Sequence, residues 1–182
     1  MNDIKLLEVL FGDKLIKSES GKYGRPCIKL EEDAKDNSYS ITIMQVPENA
    51  TAIKTDSFPN LQDFFNCSSE TGQCKRADFA IITDDKLIFI ELSTANKLEK
   101  KVVRQLKGAQ CVLEYCQSIG DKFYNNDSFL EGRHSYFVSI AKIGANKKGK
   151  RTPAKNNTPD EFRKISSPHN LRLQFQDLCC KK

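Results

Sequence analysis

The sequence predicts an α/β fold in which a mixed central β-sheet is flanked by helices. Two short apolar runs, Phe79 to Ile82 and Leu87 to Ile90, are rich in β-branched and aromatic residues and are separated by turn-forming residues, so they predict a buried β-hairpin. A helical pattern follows, and after it another apolar run from His134 to Ile143. Because a helix between two strands of one sheet is a crossover connection, the last strand should run parallel to the second hairpin strand.

The first part of the chain predicts one helix and several strands. Apolar residues are dense and helically spaced from about residue 3 to 17, with Gly12 as a point of interruption. Cys27 to Leu30 is a candidate edge strand. Tyr39 to Met44 alternates polar and apolar residues, so we expect it to be the first strand of the central sheet. Ala52 to Thr55 is a candidate for a further short strand.

The helix after the hairpin is predicted from a capping-type run, Ser93 to Asn96, and from an apolar stripe that ends at Gly120. The stripe consists of Val102, Leu106, Ala109, Leu113 and Cys116. Residues 144–160 contain almost no apolar side chain, so we expect a basic, mobile loop there. The alternation from Leu171 to Phe175 predicts a final strand.

Length and composition predict one domain over residues 1–182. A chain of 182 residues can bury one sizeable core, and its 38% hydrophobic and 29% charged residues are typical of a soluble protein. No apolar run approaches the roughly 18 to 20 residues that span a bilayer, and the N-terminus lacks the pattern of a secretory signal. We therefore expect a cytoplasmic protein that does not contact a membrane.

The chain contains seven cysteines, an odd number. Cys67 and Cys74 enclose a polar loop, and no two cysteines have the C-x₂-C spacing typical of structural zinc sites. Because the number is odd and no export signal is evident, we expect all seven thiols to be reduced.

Two acidic residues flank the predicted hairpin. Asp78 precedes its first strand and Glu91 follows its second strand. If the turn folds the strands back on each other, both carboxylates arrive at the same end of the hairpin. Carboxylate oxygens are the ligands that Mg²⁺ and Mn²⁺ prefer, so the pair is a candidate site for either cation.

The order of strand, acid, turn, strand, acid and helix resembles the PD-(D/E)xK, or restriction-endonuclease-like, nuclease superfamily. The resemblance covers roughly a quarter of the chain. In that family an Asp begins the second core strand, and an acid followed two residues later by Lys ends the third. It implies a restriction-endonuclease-like core, with Asp78 and Glu91 binding Mg²⁺ beside the scissile phosphate.

Ser93 stands where the resemblance places the motif lysine. A hydroxyl group can hydrogen-bond the site but cannot supply the positive charge that the transition state needs. Lys97 and Lys101 follow directly, and Gln105 lies one turn further along the predicted helix. We therefore take Ser93, Lys97, Lys101 and Gln105 as candidate catalytic residues beside the acidic pair.

A basic segment on an otherwise nearly neutral chain indicates a nucleic-acid partner, DNA in preference to RNA. The residues expected to contact the phosphate backbone lie in the predicted loop and are Lys147, Lys148, Lys150, Arg151 and Lys155. A charge run of this kind is also typical of a solvated loop.

Two functions of different classes fit the sequence. The first is a Mg²⁺-dependent endonuclease. The second is a non-catalytic subunit with a nuclease fold that binds nucleic acid or a protein partner, as a homodimer or in a larger complex. A Lys or Arg amine within about 4 to 5 Å of the Asp78 and Glu91 carboxylates would favour the first function, because phosphate chemistry needs a positive charge at close range.

Overall fold

A computed structural model describes most of the chain, and its conformation is given for seven segments. These are residues 2–21, 24–32, 39–68, 70–93, 97–142, 155–167 and 172–179. They contain two α-helices, α1 (Asp3–Phe11) and α2 (Glu99–Tyr124). The strands are β1 (Ile16–Lys17), β2 (Glu19–Ser20), β3 (Pro26–Glu32), β4 (Tyr39–Met44), β5 (Thr51–Lys54), β6 (Phe79–Ile82), β7 (Lys86–Ser93), β8 (His134–Lys142), β9 (Arg163–Ser167) and β10 (Arg172–Gln174).

The larger of two sheets has six strands in the order β1-β5-β6-β7-β8-β9. Neighbours from β1 to β7 are antiparallel, whereas β7, β8 and β9 are parallel to one another. The predicted hairpin is the β6–β7 pair, and β8 is parallel to β7 because α2 provides the crossover. An α/β fold with a mixed sheet flanked by helices is therefore confirmed.

The second sheet has four strands in the order β10-β4-β3-β2. It covers the face of the larger sheet that is opposite the helices. Successive side chains of β6 point to opposite faces of the larger sheet. Ala80 and Ile82 pack against α1 and α2, whereas Phe79 and Ile81 pack against the second sheet. The larger sheet is therefore buried on both faces, which explains why the hairpin strands are continuously apolar.

Two predictions for the N-terminal strands were wrong. Tyr39–Met44 does not belong to the central sheet but pairs with Pro26–Glu32 in the second sheet, and Thr51–Lys54 is the strand that pairs with β6. Pro26–Glu32 is an interior strand of its sheet rather than an edge strand. Alternation shows that one face of a strand is buried, but it does not show which sheet buries it.

The long helix differs from its prediction at both ends. Its N-cap is Leu98, without a side-chain capping bond, and Thr94 to Asn96 lie outside the described residues. The helix continues past Gly120 to Tyr124. Gly120 serves packing rather than termination, because a Cβ atom there would lie 2.5 Å from Cδ1 of Phe129.

Of the predicted mobile loop over residues 144–160, the structure describes residues 155–160. Asn156 is fully buried, and its side-chain amide donates to the backbone oxygens of Phe137, at 3.3 Å, and Leu178, at 2.8 Å. An amide with several backbone partners can be buried in a polar segment, and the mobility of the loop stays a prediction. Arg163–Ser167 forms a strand that was not predicted, and Arg172–Gln174 is the predicted final strand, followed by a 3₁₀ turn.

Among the described helices, none combines the length and the apolar character that are needed to cross a bilayer.

Candidate active site

The β6–β7 pairing brings Asp78 and Glu91 together. Phe79 is paired with Ile90, so the next antiparallel step places Asp78 opposite Glu91. Both side chains lie on the face that packs against α2, because they alternate with residues that face the second sheet. Asp78 is 6% exposed and Glu91 is 0% exposed. These two residues, the carboxylate pair, are therefore adjacent and buried, as the hairpin predicted.

Asp78 is held by backbone groups of its neighbours. Its Oδ2 accepts a hydrogen bond of 2.5 Å from the N–H of Leu92, and its backbone oxygen accepts one of 2.8 Å from the N–H of Thr55. The hydroxyl of Thr55 donates to the backbone oxygen of Ala77 at 2.5 Å. The end of β5 and the end of β7 thus fix the position of this carboxylate.

Glu91 has one oxygen that is paired and one that is not. The Lys97 ammonium forms an ion pair and hydrogen bond with Oε1. Oε2 is buried and has no hydrogen-bond partner in good geometry among the described residues. The Gln105 side chain is nevertheless close enough to favour the charged form of Glu91. A buried carboxylate oxygen without a partner is costly, so Oε2 is a position where a cation would be stabilised.

Burial raises the pKa of both carboxyl groups. The pKa of Asp78 rises to about 8 through burial and through the charge of Glu91, against the opposing bond from Leu92. The pKa of Glu91 rises to about 7 through burial, while Lys97 opposes that rise. Burial disfavours the charged form of Lys97, but the hydrogen bond to Glu91 and the negative charges of Glu91, Asp78 and Glu32 together outweigh burial and raise the pKa of Lys97.

Glu32 is a member of this acidic environment that the sequence did not indicate. It is the last residue of β3 in the second sheet, and its negative charge raises the pKa of both Asp78 and Glu91. The position of Glu32 near the carboxylate pair depends on how the two sheets pack together. The local sequence around residue 32 does not predict that packing.

The four further candidate catalytic residues fall into two groups. Lys97 and Gln105 are brought to Glu91, as described. Ser93 is buried two residues beyond Glu91 on the same face of β7, so it lies at the site. Lys101 is exposed and lines a neighbouring pocket, and among the described residues it makes no contact with the carboxylate pair.

A cavity of about 390 Å³ opens beside the carboxylate pair, and we call it the cationic pocket. It is lined by Gln62, Cys67, Gly72, Cys74, Lys75, Lys97, Lys101, Arg104 and Gln105. Four of these residues carry a positive charge, and none of them is acidic. Lys97 and Gln105 belong to both places, so the cationic pocket and the carboxylate pair adjoin.

Cys67 and Cys74 form a disulfide with a Cα–Cα distance of 5.6 Å. The prediction that all seven thiols are reduced was therefore wrong for this pair. The polar loop between them folds back on itself and brings the sulfur atoms together in the wall of the cationic pocket, which the odd number of cysteines could not show.

Gly108 sets the distance between α2 and the segment that leads into β6. An added Cβ atom would lie 1.7 Å from the backbone oxygen of Lys75, and the N–H of Ala77 donates to the backbone oxygen of Gln105 at 2.8 Å. This contact joins the residues just before Asp78 to the helix that carries Gln105.

We expect Gly108→Ala to lower the free energy of unfolding by about 2 kcal/mol or more, because the methyl group must displace backbone rather than a flexible side chain. Helix propensity alone would predict a gain of about 1 kcal/mol, so the sign of the change is diagnostic. Urea unfolding measures it, with Cys111→Ala, an exposed position on the same helix, as the control. A stabilised Gly108→Ala variant would contradict the close contact.

Most of the predicted backbone-binding loop lies outside the described residues. Lys147, Lys148, Lys150 and Arg151 belong to residues 143–154, which the structure does not describe, and Lys155 is exposed. Their contact with nucleic acid stays a prediction.

No protein-family model, curated protein or solved structure matches this chain. The function is therefore inferred from the geometry and charge of the carboxylate pair and the cationic pocket.

Proposed function

We propose that this protein is a metal-dependent nuclease that cleaves phosphodiester bonds of DNA, or of RNA, with Asp78 and Glu91 holding Mg²⁺ or Mn²⁺. The observation that carries the proposal is the ion pair between Lys97, whose side chain is 35% exposed, and the buried Glu91 of the carboxylate pair. A cation therefore lies within reach of the carboxylate pair although Ser93 occupies the motif position. The adjoining cationic pocket offers a place for the substrate backbone.

The residues present fit a divalent cation. Asp78 and Glu91 are hard oxygen donors at one end of the hairpin, and Glu91 Oε2 is buried without a partner among the described residues. No group of three or more acidic, His or Cys residues is assembled as a metal cluster in the described part of the chain. Mg²⁺ is commonly held by one or two carboxylates together with substrate phosphates, so two carboxylates suffice. When bound, such an ion polarises the phosphate and generates a nucleophile from water.

The protein's own side chains would act through charge and position. Lys97 would supply the positive charge that stabilises the phosphate in the transition state, in place of the missing motif lysine. Ser93 and Gln105 would orient groups at the site by hydrogen bonding. The burial of Asp78 and Glu91 lowers the local dielectric constant, which strengthens each of these electrostatic interactions.

The order of elements also supports the proposal. Asp78 directly precedes β6, which pairs antiparallel with both β5 and β7, and Glu91 lies near the end of β7. α2 then leads to β8, which is parallel to β7. The restriction-endonuclease-like family to which the sequence is similar places its acids on the second and third core strands in the same way.

The non-catalytic alternative is favoured by Ser93. This residue is buried at the motif position, where its hydroxyl cannot take over the role of an ammonium group. A nuclease-fold subunit that binds nucleic acid or a protein partner would keep the fold without cleavage.

The substitution Lys97→Met separates the two functions, because it keeps much of the side-chain volume and removes the charge. We expect cleavage of a labelled oligonucleotide in Mg²⁺ to slow by about 10²- to 10³-fold, the usual cost of losing one transition-state donor. Lys97→Arg should restore part of the rate. Lys100→Met is the control, since Lys100 is exposed and, among the described residues, does not contact the carboxylate pair. A purified wild-type protein that cleaves nothing in Mg²⁺ or Mn²⁺ would favour the non-catalytic subunit.

A further inference from the structure

Two phenyl rings lie exposed on the turn that forms one wall of the cationic pocket. Phe64 is 83% exposed and Phe65 is 46% exposed, and their ring centroids are 4.9 Å apart in an edge-to-face arrangement. Gln62 and Cys67, which flank the two rings in sequence, both line the pocket. Neighbouring exposed aromatic rings on a soluble surface are unfavourable in water and mark contact sites.

The turn that carries the rings is braced. The N–H of Phe65 donates to the backbone oxygen of Leu61 at 2.7 Å, and the Gln73 side-chain amide donates to the backbone oxygen of Asn66 at 2.5 Å. The Cys67–Cys74 disulfide ties the end of the turn to the segment that precedes β6. The two phenyl rings are therefore presented on a preorganised support, which lowers the entropy cost of binding.

The charged residues that line the cationic pocket are all positive, whereas the exposed Asp63, which precedes Phe64, is not part of that lining. Lys75, Lys101 and Arg104 line the cationic pocket, and Lys97 lies between that pocket and Glu91. A polyanion that enters the pocket would contact Lys97, the residue that pairs with Glu91. Aromatic rings for stacking next to a cationic groove for the backbone are the two components by which proteins bind single-stranded nucleic acid.

We propose that the substrate is an unpaired strand of DNA or RNA, with bases stacked on Phe64 and Phe65 and phosphates held by Lys75, Lys101 and Arg104. This inference rests on the proposed nuclease function for the reaction, but the binding itself does not require metal. In a duplex the base faces are covered by neighbouring bases, so a duplex could use the cations but not the rings.

Fluorescence anisotropy with labelled oligonucleotides in EDTA tests the proposal without cleavage. A mixed-sequence single strand, as DNA and as RNA, is compared with the blunt duplex of the same sequence. We expect the single strand to bind at least about tenfold more tightly at equal salt. Because stacking on an aromatic ring contributes substantially for each base, Phe64→Ala with Phe65→Ala should weaken single-strand binding by about tenfold or more and leave duplex binding nearly unchanged.

Matched controls separate stacking and charge from general effects. Phe123 is 77% exposed near the other end of α2, so Phe123→Ala removes an equally exposed phenyl ring away from the cationic pocket. Lys101→Ala with Arg104→Ala should flatten the log–log salt dependence by about 1.4, since each phosphate contact on a single strand contributes roughly 0.7. Lys5→Ala with Lys122→Ala, both exposed elsewhere, should leave the slope unchanged.

Equal affinity for single strand and duplex would overturn the proposal. So would a Phe64→Ala, Phe65→Ala variant that binds like Phe123→Ala, an outcome that would assign the rings to a protein partner. Failure of the nuclease function has a different signature. If the protein prefers single strands in EDTA but cleaves nothing in Mg²⁺, the single-strand proposal stands and the nuclease proposal fails. If it cleaves in Mg²⁺ but binds single strand and duplex equally, the nuclease proposal stands and the single-strand proposal fails.

Discussion

Asp78→Ala is expected to abolish the binding of Mg²⁺ and Mn²⁺ and to reduce phosphodiester cleavage by at least about 10³-fold, because one of two metal-binding carboxylates is lost. Glu91→Gln should have a similar effect, since its amide keeps the shape of the side chain without the charge. Isothermal titration with Mn²⁺ measures the binding, and a gel assay of labelled oligonucleotide measures the cleavage.

The matched control for these variants is Asp84→Asn. Asp84 lies in the turn at the opposite end of the same hairpin, where it accepts a hydrogen bond from Asn49. The control removes an acidic charge from the same element without touching the carboxylate pair, so it should bind metal and cleave like the wild type. Equal Mn²⁺ binding by wild type and Asp78→Ala would remove the basis of the nuclease proposal.

The stability of the metal-free protein should fall as the pH rises from about 4 to about 8, because both buried carboxyl groups have raised pKa values in the folded state. The pKa of Asp78 rises from 3.8 to about 8, and the pKa of Glu91 rises from 4.5 to about 7. Below the unfolded values both states are protonated and the folded protein keeps its full stability. Above them the unfolded chain releases its protons first, so unfolding becomes progressively easier until the folded groups ionise as well.

The size of this loss should be of the order of a few kcal/mol, since each raised group contributes up to about 1.4 kcal/mol per pH unit and the two groups interact. Urea unfolding between about pH 5 and pH 9 measures it, with the double variant Asp78→Asn, Glu91→Gln as reference, because that variant cannot ionise at these positions. The difference in the free energy of unfolding between the wild type and the double variant should shrink or reverse sign as the pH rises. A constant difference would show that the pair is not forced to ionise in a buried site.

Metal should reverse the loss at high pH. A cation that binds the ionised pair stabilises the folded state by about 2.7 kcal/mol at a hundred times its dissociation constant. The double variant should gain nothing from Mg²⁺. This pattern would link the raised pKa values of Asp78 and Glu91 to one cause, a site that holds positive charge.

The position of Lys97 has consequences for the resemblance to the restriction-endonuclease-like family. The motif position two residues after Glu91 is occupied by Ser93, yet the ammonium of Lys97 reaches Glu91 from the segment before α2. The charge at a site depends on which side chains are close to it in space, not on their separation in the sequence. A lysine on a following segment can therefore provide the same field as a lysine on the strand.

The sequence by itself determined the parts of the site whose positions depend on short-range periodicity. Asp78 and Glu91 meet because a short turn joins two strands with a side-chain period of two, and α2 presents Gln105 beside its apolar stripe because the helical period is local. The parallel direction of β8 follows from the crossover helix in the same way.

The distant segments that complete the site could be identified only from the folded structure. Glu32 reaches it through the stacking of a second sheet, and the Phe64–Phe65 turn reaches the cationic pocket through the Cys67–Cys74 loop. The burial of Asn156 in a basic, polar segment was decided by backbone partners that are distant along the chain. Such contacts depend on competition among many pairings of similar free energy, and the periodicity of any single segment carries no information about the segment that finally packs against it.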